Sequence, residues 1–403
     1  MTDARSRPAD ARPAVKLRPR GGRRFSEGAP WIYVDEIAMD RRTRSLAPGT
    51  VVTVVSVDGD DRQPLGAFAF NPESTIAARL LDDDPAAAID VDWIAGRLGR
   101  ALALRETLYD TPFYRLVHAE GDGLPGVVMD RFGDAVVVQP NAAWADARID
   151  ALAQALDTVL APRTIVMNAG SRARALEGLD ADGRVLKGAI DGPIPVAMNG
   201  AVYMADLAGG QKTGLFYDQR PNHAFAARLG RGRAVLDVFA HVGGFGLAAL
   251  AAGAAHALAV DGSAAALALA AEGARRTGVA HRFETMKADA FDALKGLAEA
   301  ERRFGMVVCD PPAFAPSRQA LDAGLRAYAK TARLAAPLVE PGGFLVLCSC
   351  SHAADLDSFR AACVNGISAT GRRGALIHAG GAGPDHPVHL GLPETGYLKA
   401  LFF

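Results

Sequence analysis

The chain has 403 residues, 50% hydrophobic and 22% charged, a globular ratio that predicts two or three domains and excludes long disorder. Four cysteines cannot build a disulfide scaffold and fit a reducing, cytoplasmic compartment, and no apolar stretch follows Met1 as a secretory signal would require. A net charge of −1 announces no nucleic-acid partner, yet residues 1–24 carry eight basic residues against Asp3 and Asp10, a local excess that suits a polyanion and equally a solvated tail. The uncharged run Val238–Val260 is long enough to span a bilayer, but it is mostly Ala and Gly with acidic ends and reads as a buried strand plus helix, so no membrane partner is expected.

Residues 1–13 are rich in Pro, Arg and Ala without periodicity, which predicts a disordered basic tail. Over 14–85 short strands alternate with turns: Thr50–Val55 after Pro48-Gly49, a turn at Asp58–Asp61, then Leu65–Phe70, together a small all-β domain. Asp92–Tyr109 has helical periodicity. It is followed by strands at Tyr114–His118, Val127–Asp130 and Ala135–Gln139, a helix at Ala145–Leu160 and a strand at Thr164–Met167, a central α+β domain over 88–190. Asn199-Gly200 between Pro195–Met198 and Ala201–Met204 signals a hairpin. From there, over 194–403, strands (Ala234–Phe239, Ala257–Asp261, Arg282–Lys287, Met306–Asp310, Phe344–Ser349, Tyr397–Phe402) alternate with helices such as Ala264–Thr277 and Asp322–Leu338, the pattern of a mostly parallel, doubly wound α/β sheet.

The strand ends of this last domain carry the chemistry. Asp237, Phe239, Gly243 and Gly244 lie where a strand runs into a Gly-rich loop and a helix; without GxGxxG, this suits a nucleoside lacking phosphate, or a plain turn. Asp261 ends the next strand, where a carboxylate can accept both ribose hydroxyls, and Asp289 follows the third, where one can accept from an adenine amine. Taken singly, each reads first as a helix N-cap; three acidic strand ends in register with a Gly loop point instead to a site. Asp310-Pro311-Pro312 ends the fourth strand in a loop stiffened by two rings, able to hold a planar base. The fifth ends in Cys348-Ser349-Cys350, too closely spaced and too isolated for a metal site, so either buried thiols or a nucleophile. Cys350 lies nearer the strand end, and so nearer Asp310.

In this order the motifs resemble class I S-adenosylmethionine-dependent methyltransferases. The run Gln211–Asn222, with Lys212, Thr213, Gly214 and Phe216, is similar to the lead-in of one subgroup, the bacterial 23S ribosomal RNA cytosine-5 methyltransferases with an N-terminal PUA domain. Arg115-Leu116-Val117, Gly123–Gly126 and Asp130–Asp134 resemble their central domain; Asp385-His386-Pro387 and Tyr397-Leu398-Lys399 resemble their C-terminal end. The resemblance, over about 14–403, implies a Rossmann-like class I methyltransferase domain over 194–403 preceded by the PUA-like and central domains. Its cofactor would be S-adenosylmethionine, held by Lys212, Thr213, Gly214, Phe216, Asp237, Phe239, Gly243, Gly244, Asp261, Asp289, Asp310 and Pro311. The expected partner is ribosomal RNA, of the large subunit, docked by the PUA-like domain and by Arg18, Arg20, Arg23 and Arg24; a homodimer is admitted but not required. Arg220 and Asn222 would position RNA or cofactor, or brace the Gly loop. Two departures stand out: His241-Val242 replaces the Tyr-Thr often found before Gly-Gly-Phe, and Ala313 follows Asp-Pro-Pro where another cytosine-5 group has a second cysteine.

C5 of cytosine is a poor nucleophile until a thiolate adds to C6, so the implied chemistry is covalent. Cys350 is the expected nucleophile and Asp310 the acid at N3, with the base that takes the C5 proton unassigned and no metal required. The alternative is a nitrogen methyltransferase of the same fold that uses Asp310-Pro311-Pro312 with no covalent step. A nicotinamide oxidoreductase is disfavoured by the absence of GxGxxG.

Overall fold

A computed structural model of the chain describes residues 12–57, 63–207 and 214–403, in two compact units: 1–190 with 387–393, and 191–386 with 394–403. The return of 387–393 to the first unit departs from an uninterrupted 194–403 domain. The predicted tail 1–13 lies outside the described residues except for its end, which is anchored. The Arg12 guanidinium donates to the carbonyls of Pro85 (2.7 Å) and Ala87 (2.6 Å), and the Pro13 carbonyl accepts from Thr53.

Two sheets form the first unit. One has five short strands, with Thr50–Val55 and Pro64–Phe70 at its centre and Ala14–Lys16 added in parallel at an edge. Its alternating Val52, Val54, Phe68 and Phe70 meet Val15, Ile32 and Ile37 in a small core. The other has five strands in sequential order from Phe113–His118 to Arg184–Lys187. Helix Val91–Leu108 packs on it, capped by Asp90, whose side chain accepts from the Trp93 amide. The predicted helix 145–160 is two helices, Ala143–Asp146 and Ile149–Leu160. The interruption at Ala147-Arg148 lets Trp144 bury its indole, which donates to the Pro125 carbonyl at 2.8 Å.

The second unit opens with a hairpin, Ile194–Met198 and Ala201–Ala205, turning on Asn199 (φ 53°) and Gly200 (φ 76°), the left-handed pair of a type I′ turn. Seven strands follow: β1 Ala234–Val238, β2 His256–Asp261, β3 Phe283–Lys287, β4 Phe304–Cys309, β5 Val339–Ser349, β6 His378–Gly380 and β7 Lys399–Phe402. Their order in space is β3-β2-β1-β4-β5-β7-β6, with β7 alone antiparallel to the first five. β4 is buried throughout and β1 nearly so, as expected of apolar runs covered on both faces. Helices α1 (Arg220–Leu229), α2 (Gly244–Ala251) and α3 (Ala264–Thr277) form one layer; α4 (Ala290–Glu299), α5 (Leu321–Ala335) and α6 (Leu356–Ser368) form the other. The chain moves outward from β1 to β3, then returns to β4. The crevice outside the carboxyl ends of β1 and β4 is therefore the switch point where such sheets bind ligands. Among the described residues no helix is long and apolar enough to cross a membrane; the run 238–260 is the end of β1, α2 and most of β2.

Candidate active site

The loop after β1 is built from unusual backbone. Phe239 (φ 62°), His241 (φ 50°) and Gly243 (φ 81°) all adopt left-handed conformations, the first two at a cost of about 1–3 kcal/mol each. Asp237 holds this loop from beneath. Its carboxylate, 1% exposed, accepts from the Gly246 amide at 2.8 Å, and burial pushes its pKa up to about 7. Gly244 is required by packing: a Cβ there would lie 2.7 Å from Cε1 and Nε2 of His223, whose imidazole meets Phe245 edge-on at 4.4 Å. Burial holds that imidazole neutral, its pKa lowered to about 3. Gly244→Ala is therefore expected to destabilise the domain by about 1–3 kcal/mol, seen as a lowered Tm, and to weaken cofactor binding by displacing the loop.

Asp261, at the end of β2, accepts from the amides of His241 and Ser263, both at 2.8 Å, one on each oxygen. That fixes the carboxylate and leaves acceptor capacity on both oxygens. Asp289, exposed after β3, is the N-cap of α4: Oδ1 accepts from Phe291 (2.9 Å) and Asp292 (3.1 Å). Between these strands and β4 lies an aromatic cluster, with Phe239 6.5 Å from Phe291 and 6.4 Å from Phe314. Phe216 meets the His241 ring at 5.1 Å on the other side of the loop. Glycine backbone, two fixed carboxylates and aromatic faces form a donor set suited to a hydroxyl-bearing nucleoside.

Asp310 follows β4, and its amide donates to the Val238 carbonyl, which ties it to the end of β1. Its Oδ2 accepts from Gln219 Nε2 at 2.9 Å; Gln219 Oε1 accepts from Asn222 Nδ2 at 2.7 Å; and Asn222 Nδ2 also donates to the Gly381 carbonyl. Gln219 and Asn222 are 3% and 1% exposed. Of the two roles expected for Asn222, positioning RNA or cofactor or bracing, its geometry is that of a brace: it is a buried strut that orients Gln219 and, through it, Asp310. Arg220 is likewise buried, its guanidinium 5.6 Å from the Tyr217 ring. Asn222→Ala is expected to lower kcat about tenfold while leaving RNA affinity unchanged, as measured by single-turnover rates and RNA titration; one lost neutral hydrogen bond sets that scale.

On the neighbouring strand, Cys350 lies just past the end of β5 and is the partly exposed one of the four cysteines; Cys309, Cys348 and Cys363 are buried. Asp310 follows Cys309, whose register partner Leu347 is followed by Cys348. Burial, and then the Asp310 charge, push its thiol well above the ordinary range, so it stays neutral under the site. Tyr328 of α5 fastens both sides of Cys350. Its hydroxyl accepts from Ser349 Oγ at 2.8 Å and meets Ser351 Oγ at 2.7 Å, while Ser351 Oγ accepts from the Ala315 amide at 3.0 Å. The thiol-bearing loop and the Asp-Pro-Pro loop are thereby joined.

Pro311 and Gly214 (φ 102°) are both buried. Lys212 and Thr213 lie outside the described residues. Arg18, Arg20, Arg23 and Arg24 are exposed on the first unit, in its folded part rather than on a free arm. Arg18 Nε donates to the Ile37 carbonyl, Arg23 pairs with Glu27 at 3.1 Å, and Arg24 lies over Tyr33. Sequence reasoning missed Gln219, Tyr328 and the serine pair. Gln219 sits inside the quoted lead-in run, but Tyr328 is one aromatic among apolar helix residues and gives no signal. A cavity of about 410 Å3 lined by Arg360, Arg372, Arg373 and Phe403 lies at the opposite, amino-terminal edge of the sheet and contains none of these residues.

The family model for S-adenosylmethionine-dependent methyltransferases matches residues 176–364, and that for PUA-like domains matches 15–83. The crystal structure of SMU.776 with SAH superposes with a TM-score of 0.81 over 97% of this chain and 99% of that one, at 18% identity, which shows a shared fold. Proteins named ribosomal RNA large subunit methyltransferase I from Shewanella denitrificans and Pseudoalteromonas atlantica are 34% and 32% identical, each over 96% of this chain and 98% of theirs. The chain belongs to this family of S-adenosylmethionine-dependent methyltransferases, and S-adenosylmethionine is its cofactor.

Proposed function

We propose that the protein methylates C5 of a cytosine in large-subunit ribosomal RNA, through a covalent adduct on Cys350. The substrate class follows the names of its relatives. The observation that carries the chemistry is the partly exposed Cys350 just past the end of β5, the strand paired with the one that leads into Asp310, with both loops fixed by buried hydrogen bonds.

The glycine loop, Asp261 and Asp289 hold the nucleoside part of the cofactor, and Asp237 keeps the loop in shape. When bound, the cofactor supplies an electrophilic methyl on a sulfonium. Cys350 adds to C6, forming the C–S bond. The C5=C6 electron pair, drawn toward N3 by a hydrogen bond from Asp310, becomes available at C5, which takes the methyl group. Loss of the C5 proton then expels the thiolate and restores the ring. The target base must leave its stack to reach this crevice, so a single-stranded or opened segment is the substrate. The PUA-like domain, with Arg18, Arg20, Arg23 and Arg24, supplies phosphate contacts that position without reading sequence.

The test is nucleoside mass spectrometry of unmodified ribosomal RNA incubated with the protein and methyl-labelled cofactor. Label in 5-methylcytidine supports the reading; label on a ring or exocyclic nitrogen overturns it.

A further inference from the structure

Lys399 opens β7 directly opposite Ser349 in the antiparallel pair with β5. Its side chain is 8% exposed, a rare state for lysine, which keeps its charge in water unless a partner repays the desolvation. Its Nζ donates to the Ser351 carbonyl at 2.8 Å and to the Ala354 carbonyl at 2.6 Å. Both acceptors are neutral, and among the described residues no carboxylate lies within ion-pair distance. One ammonium donor remains beyond these two bonds. The residue whose carbonyl it grips is the one after Cys350.

We propose that Lys399 is the positioning residue of the nucleophile: its buried ammonium pins the loop that carries Cys350 and supplies the positive charge that favours the thiolate. The inference rests on the covalent reading above and names the charge that this reading needs, since a thiol in a half-buried pocket is otherwise held neutral by desolvation.

The other groups around Cys350 do not serve. The Tyr328 hydroxyl of α5 is committed to Ser349 and Ser351, and burial pushes its pKa up, so it stays uncharged. Asp310, just after β4, is the acid of the proposed chemistry and brings no positive charge. Asp355 is the N-cap of α6 and accepts from the Ser358 amide. The His352 imidazole, two residues on, is engaged elsewhere, with Nδ1 3.2 Å from the Glu394 carbonyl and its ring 5.0 Å from Tyr397. Lys399 and Cys350 also feel each other's charge: burial pulls the lysine down, and Cys350, then Asp355, pull it back up.

The experiment is the pH dependence of iodoacetamide alkylation at Cys350, read by peptide mass spectrometry on the full chain without RNA or cofactor. The three buried thiols serve as internal controls. The wild-type midpoint is expected below the ordinary thiol value of about 8.5, and Lys399→Gln, which keeps a donor and loses the charge, should raise it by about one unit. Near neutral pH that slows alkylation roughly tenfold, and the pH profile of methylation shifts the same way. A wild-type midpoint at or above 8.5 overturns the proposal without reference to any variant; so does a Lys399→Gln chain that melts like wild type and keeps the wild-type midpoint. Failure of the covalent reading shows separately, as methylation that survives loss of Cys350.

Discussion

Cys350→Ala is expected to abolish methyl transfer, by roughly 10⁴-fold or more, the scale of removing a covalent nucleophile. Cofactor affinity should be unchanged, because the glycine loop and Asp261 proposed to hold it are fixed by hydrogen bonds from Gly246 to Asp237 and from His241 and Ser263 to Asp261. The fold should survive as well: the side chain is partly exposed, and the loop is kept by Tyr328 and Lys399. A loss of kcat with unchanged cofactor Kd and Tm is thus the expected result. An enzyme attacking through a ring or exocyclic nitrogen would lose little, so the same variant separates the two chemistries.

The second large effect is expected at Asp310. Asp310→Asn keeps a group that can accept from Gln219, so the buried chain from Gly381 through Asn222 and Gln219 stays intact. What is lost is an ionisable group facing the base. General acid catalysis contributes about 10²–10⁴-fold, and kcat should fall within that range. Ala at the same position should fall further and lower the Tm, because Gln219 Nε2 is then left buried with an empty partner position.

Much of the catalytic domain was legible because its physics is local. Helix α3 starts at Ser263, whose hydroxyl accepts from the Ala266 amide, and stops at Gly278 in a left-handed conformation, so both ends are written in the chain. The buried runs of β1, β2 and β4 are apolar for the length of a strand, and Asn199-Gly200 admits little but a tight hairpin. The strand His378–Gly380 was missed because its three residues have no strand preference; it exists only because the edge of β7 offers hydrogen bonds. The helix interruption before Ile149 was missed for a related reason, since burial of Trp144 is a tertiary matter. At the site, the acidic strand ends and Cys350 could be named from their order along the chain. The cap at Asp289 was legible too, since its partners are two and three residues on; what could not be read is that Asn222 ties Gln219 and Asp310 to Gly381, links that span 91 and 159 residues. Lys399 belongs to the same class, a charge on an apolar strand whose partners lie 48 and 45 residues earlier.

The most direct test of the covalent account uses RNA in which the target cytosines carry fluorine at C5. After addition of Cys350 to C6 and methyl transfer, no C5 proton is left to remove, so the C–S bond cannot be broken by elimination. The account predicts a protein–RNA species stable to denaturant, formed only with S-adenosylmethionine, absent in Cys350→Ala, and mapping to the peptide that contains Cys350. Absence of such a species while the unfluorinated RNA is methylated normally, or its persistence in Cys350→Ala, would contradict it.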